Sequence, residues 1–341
     1  MDPTSYDYDA PLTESGDPTE KFFKIRQVIG KYLDLPTNIP KPFPSTKRAY
    51  GSVNMSCFLG DIFDFIKSYS STPVKSYEML TFEALSQPNG FLMYSTRIPY
   101  HPTDPVVVKI PGLKDRAHVF VNQTFQGILS REFDIFSLPV SASSGDTLEV
   151  LVENQARINF GGGINEVKGI TGKVSLGSKE LNTVWTHDKV PLHIPNVIKD
   201  LSERKDCMVG RSSSRTLCIK SFRPSFFKGT FILNSNPEKK ETQSLDNNVI
   251  ESEELSDTFL SLKGWRKGIV WINGFNVGRY WPVAGPQVTL FVPKTKLFPA
   301  DKTNEILIFE QEFSPCFDPS SSSCSVEFVT EHVINASVPD T

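Results

Sequence analysis

The chain lacks the features that define several protein classes. Its 341 residues contain no run of about 18 apolar residues, so we expect no membrane span. The formal net charge is −3, so we expect no basic field that would bind nucleic acid or an anionic membrane. Methionine is scarce, at 5 residues, whereas there are 25 prolines, 25 phenylalanines and 21 glycines. Many turns and many aromatic residues favour β-rich domains over helix bundles.

Standard catalytic motifs are also missing from the sequence. There is no G-x-S-x-G nucleophile elbow, no phosphate-binding P-loop and no dinucleotide-binding G-x-G-x-x-G. The histidines are scattered at positions 101, 118, 187, 193 and 332. Two of them, His187 and His193, lack a third partner at metal-ligand spacing, so we interpret them as solvated loop residues. We therefore expect no metal and no cofactor.

Five cysteines are an odd number, so at least one stays unpaired within the chain. Cys316 and Cys324 flank Phe-Asp-Pro and four serines, a pattern that predicts a small disulfide-closed loop. Such loops are typical of an oxidising compartment. A bond between Cys207 and Cys218 would leave Cys57 as a buried thiol, but the pairing of these three residues stays open.

The N-terminal residues and the rest of the chain point to different compartments. The first 18 residues are acidic and polar and lack the apolar stretch of a signal peptide. Yet N-x-S/T sequons at Asn54, Asn122 and Asn335 are glycosylation candidates, which are typical of a secreted protein. One explanation is that the natural beginning of the protein is missing from this sequence.

A single amphipathic helix is predicted over 18–33, with Asp17 as N-cap and Pro18 at the first helical position. Its apolar positions include Phe22, Phe23, Val28 and Ile29. The proline-rich segment 36–46 follows and predicts an extended linker. Nothing obvious in the chain can cover the apolar face, so we expect these four side chains to be exposed.

Short β-strand patterns dominate the chain after residue 45. They predict strands near 91–98, 118–122, 147–153, 172–176, 229–233, 258–262, 269–273, 288–292 and 305–309. Strands of this length and spacing predict β-sandwiches with Greek-key or jelly-roll connections. Residues 199–228 and 234–257 are polar and predict long surface loops.

An internal repeat relates two parts of this β-rich region. Residues 119–127 match 270–278 at an offset of 151 positions, and 136–139 match 290–293 at an offset of 154. A third match relates 147–152 to 303–308 at an offset of 156. The same order at a slowly growing offset predicts one sandwich design used twice, with an Asn turn between two strands.

The best local candidate for a site is the segment at positions 5–11, SYDYDAP. In an extended chain Tyr6 and Tyr8 would share one face and Asp7 and Asp9 the other. The tyrosines could then line a sugar pocket, or the carboxylates could act in glycoside hydrolysis. An acidic, flexible terminus explains the same composition.

A second candidate combines residues 264–268 (GWRKG) with residues 278–282 (GRYWP). Exposed Trp and Tyr side chains stack on sugar rings, and Arg279 could bind a hydroxyl or a carboxylate. The alternative, which we favour, is that the tryptophans fill the core and the corners of a sandwich.

These same segments resemble the family 35 glycoside hydrolases of the animal lysosomal β-galactosidase type. Residues 5–12 and 16–21 resemble the end of that family's catalytic barrel, and 151–161 resemble its first β-domain. Residues 264–282 and 285–293 resemble its second β-domain, and the tail that contains Cys316 and Cys324 is also similar. The resemblance covers nearly the whole chain and is weak only at 199–228.

The resemblance implies a mainly β chain: two jelly-roll or galactose-binding-like β-sandwiches, preceded by the last loop and helix of a TIM barrel. The implied divisions are 1–35 barrel remnant, 36–46 linker, 47–198 first sandwich, 199–257 long loops and start of the second domain, 258–335 second sandwich core, and 336–341 tail. The implied activity is that of a retaining exo-β-galactosidase, which uses two barrel glutamates as acid/base and nucleophile. Neither glutamate motif is present, so we expect this chain to be inactive alone.

Of the family's galactose-pocket residues, the resemblance carries over Tyr8 and, less directly, Tyr6. The implied partners are β-galactoside glycans, the missing barrel domain and a second copy in a homodimer, and the implied location is lysosomal or secreted. An alternative from another functional class stays open: a non-catalytic β-sandwich module that binds carbohydrate or protein.

Overall fold

The structure is a computed structural model that describes residues 9–36, 38–40, 42–70, 72–204, 222–233, 255–300, 302–317 and 324–336. The chain divides into two compact units. The unit that we call the first sandwich holds the described residues from 59 to 204, together with 222 and 223. The second sandwich holds the described residues up to 58 and from 224 onward.

Strands greatly outnumber helices among the described elements. The helices are α1 (Glu20–Ile29), α2 (Ile62–Tyr69) and α3 (Pro195–Glu203). The strands as far as α3 are β1 (Gly51–Asn54), β2 (Ser56–Asp61), β3 (Val74–Ser76), β4 (Gly90–Arg97), β5 (Val106–Lys109), β6 (Leu113–Lys114), β7 (Arg116–Val121), β8 (Thr124–Ser130), β9 (Ser137–Val140), β10 (Thr147–Asn154), β11 (Gly169–Ile170), β12 (Ser175–Leu176), β13 (Lys179–Glu180) and β14 (Trp185–Val190). The later strands are β15 (Ser225–Ile232), β16 (Thr258–Ser261), β17 (Gly268–Ile272), β18 (Phe275–Tyr280), β19 (Thr289–Val292), β20 (Thr303–Glu310) and β21 (Ser325–Val329).

The first sandwich pairs a six-stranded sheet, β3-β14-β4-β10-β7-β8, with a four-stranded sheet, β13-β12-β5-β9. The alternation of side chains along a strand explains its core. On β10, Leu148, Val150 and Val152 point into one buried apolar cluster. Val150 lies opposite Tyr94 on β4 and Val119 on β7, and both are in the same cluster.

The second sandwich repeats this arrangement with a five-stranded sheet, β18-β17-β20-β15-β2, and a four-stranded sheet, β1-β21-β16-β19. Ile308 on β20 lies between Val270 on β17 and Phe227 on β15, and all three are in its core. The predicted fold class, mainly β with two sandwiches, is confirmed. None of the helices in the part of the chain that the structure describes is long and apolar enough to cross a membrane.

The domain boundaries differ from the predicted ones at both junctions. The prediction placed residues 47–58 in the first sandwich, but β1 pairs with β21, and Val53 lies opposite Val326 in the second core. Helix α3 continues to Glu203, past the predicted end at 198, because Leu201 is buried in the first unit. The segment 199–257 was predicted as long loops and the start of the second domain, and it contains β15, an interior strand of the second sandwich that overlaps the strand predicted near 229–233.

The helices also differ from the prediction in two ways. Helix α1 begins at Glu20 and ends at Ile29, and its N-cap is Thr19 rather than Asp17. Helix α2 was not predicted. The carboxylate of Asp61 caps it, accepting hydrogen bonds from the amides of Phe63 and Asp64 at 3.0 and 3.3 Å.

The internal repeat is visible as two equivalent hairpins, β7–β8 and β17–β18. Each turn has two residues with positive φ, Asn122 and Gln123 in one and Asn273 and Gly274 in the other. This is the conformation of a tight type I′ turn. Each hairpin also has a bulge at the equivalent place, between Val119 and Phe120 and between Val270 and Trp271.

The turn asparagines fix the alignment of the repeat. The Asn122 Oδ1 accepts from the Thr147 amide at 2.9 Å, and the Asn273 Oδ1 accepts from the Glu305 amide at 2.9 Å. Thr147 is therefore equivalent to Glu305, two residues beyond the predicted partner, Thr303. A shift of two residues keeps the same strand face, so the sequence pattern alone could not reveal it.

The cysteines partly follow the predictions. A disulfide bond joins Cys316 to Cys324. Cys57 is also disulfide-bonded, so the alternative of a buried free thiol is wrong. The cysteine bonded to Cys57 lies outside the described residues, where the two candidates are Cys207 and Cys218.

Candidate functional site

The predicted sugar-binding residues Tyr6 and Tyr8, together with Asp7, lie outside the described residues. The description begins at Asp9, whose exposed carboxylate is 3.0 Å from Lys21 Nζ on α1. The two side chains form a surface ion pair, and such pairs contribute little to the free energy of unfolding.

The residues that follow Asp9 form a closed loop leading into α1. The hydroxyl of Thr19 donates to the carbonyl oxygens of Ala10 and Pro11, both at 2.9 Å. Leu12 and Pro18 form an isolated antiparallel bridge across the loop. These contacts therefore hold the two ends of the loop together. The loop comes directly after the predicted sugar-binding tyrosines in the sequence.

Asp17 anchors this loop. Its carboxylate accepts from Lys47 Nζ and from the Ser45 amide, each at 2.7 Å, and from the Ser15 hydroxyl at 2.9 Å. Burial raises the pKa of Asp17, but these hydrogen bonds outweigh it and lower the pKa to about 2. Asp17 is therefore ionised at any physiological pH.

The same segment is tied to the second sandwich through Asp257. The Asp257 carboxylate accepts from the Ser45 hydroxyl at 3.1 Å and from the Lys294 amide at 2.8 Å. The Asp257 carbonyl accepts from the Arg48 amide at 2.9 Å. The route from Asp17 through Ser45 to Asp257 fixes the loop against the strands of its own unit.

Helix α1 has a largely uncovered apolar face. None of its residues is buried, and Phe23, Val28 and Ile29 are exposed, Val28 to 52%. The predicted exposure is confirmed for these three. Phe22 is half-buried, with its ring edge-on to that of Phe23 at 5.4 Å.

The second candidate, around the tryptophans of the second sandwich, has mainly a structural role. Trp265 is buried and its indole Nε1 donates to the Ser325 carbonyl at 2.9 Å. Tyr280 is also buried, whereas Trp281 and Arg279 are half-buried. The favoured interpretation, that the tryptophans fill the core and the corners of a sandwich, is confirmed for Trp265.

Sequence analysis missed a buried carboxylate at the centre of this motif. Glu310, at the end of β20, is 3% exposed. Its Oε1 accepts from the amides of Lys267, Glu312 and Phe313, and its Oε2 accepts from the Arg266 amide and the Tyr280 hydroxyl, at 2.9–3.3 Å. Burial raises the pKa of Glu310 to about 7, against the effect of these hydrogen bonds. Strands β17 and β20 lie so close together here that a Cβ on Gly268 would clash with the Phe309 carbonyl oxygen.

The first sandwich contains a different arrangement of buried charge. Lys168 Nζ contacts Asp115 at 2.8 Å and Glu166 at 3.0 Å. Arg131 bridges the same two carboxylates, and Lys114 Nζ lies 2.9 Å from Glu166. Burial raises the pKa of Glu166, but the hydrogen bonds from these cations outweigh it and lower the pKa to about 2.

His187 is neither a solvated loop residue nor positioned as a metal ligand. It lies on β14, is buried, and has both ring nitrogens engaged, with Nδ1 donating to the Val74 carbonyl and Nε2 accepting from the Leu80 amide. Burial lowers its pKa, which favours the neutral ring. Among the residues that the structure describes, no group of three or more His, Cys, Asp or Glu side chains could hold a metal ion.

The three glycosylation candidates differ in how free their side chains are. Asn54 and Asn335 are exposed. Asn122 is exposed too, but its Nδ2, the atom that would carry a glycan, donates to Asp146 Oδ1 at 2.8 Å. Asn122 is therefore already engaged in the hairpin turn.

Comparison with protein-family models matches three parts of the chain. Residues 1–32 match glycosyl hydrolases family 35, residues 79–192 match the first all-beta domain of β-galactosidase, and residues 224–304 match the galactose-binding domain of β-galactosidase. The matches follow the order predicted from the sequence motifs.

Relatives among the curated proteins give the same result. The chain is 39% identical to β-galactosidase of Bos taurus over 340 residues, and 38% identical to β-galactosidase of Homo sapiens over 347 residues. These alignments cover 97% and 98% of the chain and 48% and 47% of the relatives, so the chain spans about half their length. A solved lectin structure from Pleurotus ostreatus aligns over 79% of each chain at 12% identity with a TM-score of 0.22, too low to support a conclusion.

Proposed function

Because the chain belongs to the family 35 glycosyl hydrolases of the β-galactosidase type, we propose that it forms the β-domain region of an exo-β-galactosidase. The enzyme would remove terminal β-galactose from glycoconjugates in a lysosomal or secreted setting. The observation that carries the proposal is the order of the three family matches along one chain. The Cys316–Cys324 disulfide supports an oxidising compartment.

The proposal implies that the catalytic chemistry and the β-domains belong to different parts of the enzyme. A retaining glycosidase needs two carboxyl groups on either side of the glycosidic bond, one as acid/base and one as nucleophile. The sequence contains neither of the family motifs that supply them, so the chemistry would come from a barrel domain. This chain would contribute Tyr8 and Tyr6 to the galactose pocket, and Asp17 fixes the segment that follows them in the sequence through its contact with Lys47.

Helix α1 supplies the proposed contact with that barrel. Its exposed side chains Phe23, Val28 and Ile29 form an apolar face without cover among the described residues. Burying three such side chains stabilises an interface by about 2 kcal/mol each. We propose that this face packs against the barrel domain, next to the loop that leads from Tyr8.

The direct test is hydrolysis of a chromogenic β-galactoside by the purified chain. We expect no turnover above a buffer control, and clear turnover would overturn the assignment of catalysis to a separate barrel. In a longer chain that includes the barrel, we expect turnover, and Tyr8→Phe should raise KM about tenfold through a lost hydrogen bond to the sugar. Tyr32→Phe, at an exposed tyrosine next to α1, is the matched control and should leave KM unchanged.

A further inference from the structure

The first sandwich contains a cavity that none of the preceding functions uses. It has a volume of about 300 Å³ and opens between three chain segments, 77–79, 171–174 and 180–185. These segments follow β3, connect β11 to β12, and connect β13 to β14. The volume is at the small end of the range for ligand-binding sites, which fits a single sugar-sized group.

The lining of the cavity divides into an apolar floor and a polar rim. The floor consists of Met79, Val174, Leu181 and Trp185, of which Trp185 is only 2% exposed. The rim includes Tyr77, which is 76% exposed. A tyrosine ring this exposed beside a buried apolar floor presents a flat surface on which a second apolar face can stack.

The polar groups of the rim are available to a ligand. Glu180 is already engaged, because its Oε2 accepts from Lys173 Nζ at 2.7 Å. In contrast, the side chains of Tyr77, Glu78 and Asn182 make no hydrogen bond to any other described residue. Together they offer a hydroxyl, a carboxylate and an amide, which can donate to and accept from several hydroxyl groups.

This combination specifies the chemistry of the ligand. A pyranose ring has an apolar C–H face that stacks on an aromatic ring and hydroxyls that pair with amides and carboxylates. The Glu180 charge is balanced by Lys173, so the unbalanced charge at the rim is the Glu78 carboxylate, which repels an anionic sugar. We propose that this cavity binds one neutral hexopyranose residue of a glycan.

The proposed site is separate from the proposed catalytic role and does not depend on it. Its residues lie within 77–185, inside the first sandwich, whereas the match to a galactose-binding domain covers 224–304. It gives the alternative of a carbohydrate-binding module a specific place in the fold. Failure of the cavity to bind sugar would leave the galactosidase assignment intact, and the reverse also holds.

The tryptophans allow a test that separates the two sandwiches. The chain has four tryptophans, and Trp185 lies in the cavity whereas Trp265, Trp271 and Trp281 lie in the second sandwich. Fluorine NMR of the full chain labelled with 5-fluorotryptophan should give four signals, and Trp185→Phe identifies the one from the cavity. Galactose and glucose, added separately to millimolar concentration, are the probes, and galacturonate is the anionic comparison.

We expect galactose or glucose to shift the Trp185 signal saturably. We expect galacturonate to bind with a dissociation constant at least about tenfold higher. Tyr77→Ala and Asn182→Ala should each weaken binding about tenfold, and Glu78→Gln should improve binding of galacturonate. The controls Tyr32→Ala and Asn165→Ala remove an exposed tyrosine and an exposed amide elsewhere and should change nothing. The proposal is overturned if the Trp185 signal does not move, if only second-sandwich signals move, or if galacturonate binds as well as the neutral sugars.

Discussion

The two sandwiches use the same hairpin turn but hold buried charge in different ways. In both, a turn asparagine bridges to the start of the next central strand, through Asn122 in the first and Asn273 in the second. In the first sandwich, the buried cation Lys168 neutralises carboxylates directly. In the second, Glu310 takes its hydrogen bonds from backbone amides and Tyr280. The two copies of the repeat thus share the backbone geometry of the turn. They differ in the groups that stabilise their buried carboxylates.

The difference has a physical consequence for mutation. A carboxylate held by backbone amides cannot be replaced without leaving those amides unsatisfied, since the backbone positions stay where they are. An ion network can compensate in part, because the remaining cations can still approach the remaining carboxylates. We therefore expect the second sandwich to be more sensitive at its charged centre than the first.

The largest expected effect of a substitution is that of Glu310→Ala. It leaves four backbone amides and the Tyr280 hydroxyl without their acceptor, so we expect a loss of about 4 kcal/mol in the free energy of unfolding. Urea unfolding followed by fluorescence measures it. Glu331→Ala, at an exposed glutamate, is the matched control. A loss below 1 kcal/mol for Glu310→Ala would show that the amides find water instead.

Lys168→Met tests the ion network of the first sandwich. Removing the buried cation leaves Asp115 and Glu166 close together, but Arg131 and Lys114 still contact them. We therefore expect a smaller loss in the free energy of unfolding, about 3 kcal/mol. Lys173→Met, at an exposed lysine, is the control. A loss larger than that of Glu310→Ala would reverse the proposed order of sensitivity.

Each sandwich contains a buried glutamate that should make the free energy of unfolding depend on pH. Burial raises the pKa values of Glu149 on β10 and Glu310 on β20 to about 7, above the value of 4.5 in an unfolded chain. The folded chain then binds these protons more tightly, so their contribution is complete below pH 4.5 and is lost as the pH rises through 7. Together the two carboxyl groups account for up to about 5 kcal/mol less stability at pH 8 than at pH 5.

Thermal unfolding at pH 5 and pH 8 measures this dependence. Glu149→Gln, which keeps the shape of a neutral carboxyl group, should reduce the difference between the two conditions. Asp17 and Glu166 act in the opposite direction, but their lowered pKa values place their titration near pH 2 to 4, outside this window. His187, whose pKa burial lowers, also acts in the opposite direction and reduces the difference. A protein more stable at pH 8 than at pH 5 would contradict the assigned pKa directions.

The smallest effect tests what the two sandwiches share. Asn122→Ala and Asn273→Ala each remove the side-chain bridge to the next strand and place alanine at a positive φ. We expect each to lower the free energy of unfolding by about 1–2 kcal/mol, with the larger loss for Asn273→Ala, because the Asn273 side-chain amide also donates to the Lys296 carbonyl at 2.8 Å. Urea midpoints measure the pair, with Asn165→Ala as the control. A larger loss for Asn122→Ala than for Asn273→Ala would mean that these hydrogen bonds do not set the energetics of the two turns.

Local sequence patterns were sufficient to predict most of the fold. The hairpin turns were predictable because Asn before Gln or Gly between two apolar strands favours positive φ. The pairing of β1 with β21 was not predictable, since the choice of a strand partner more than 270 residues away leaves no local signal. Asp17 has the sequence pattern of an N-cap, but Lys47 and Ser45 engage its carboxylate instead.

The candidate sites were less accessible from the sequence. Tyr8 and Tyr6 were identified only by the family resemblance, and their geometry lies outside the described residues. Glu310 follows an apolar strand without any pattern that marks it as buried. The sugar-sized cavity combines Tyr77 and Asn182, more than 100 residues apart in the chain, and only the folded structure brings such residues together.

We propose that the catalytic carboxylates act from a barrel domain and not from this β-galactosidase-type chain. The most direct measurement is the intact mass of the purified chain after exposure to 2-deoxy-2-fluoro-galactosyl fluoride, which forms a stable galactosyl ester with the nucleophile of a retaining galactosidase. A mass readout separates labelling of this chain from the activity of a contaminating enzyme. We expect an unchanged mass. An increase equal to one fluorogalactosyl group would contradict it and would show that a carboxylate of this chain is the nucleophile.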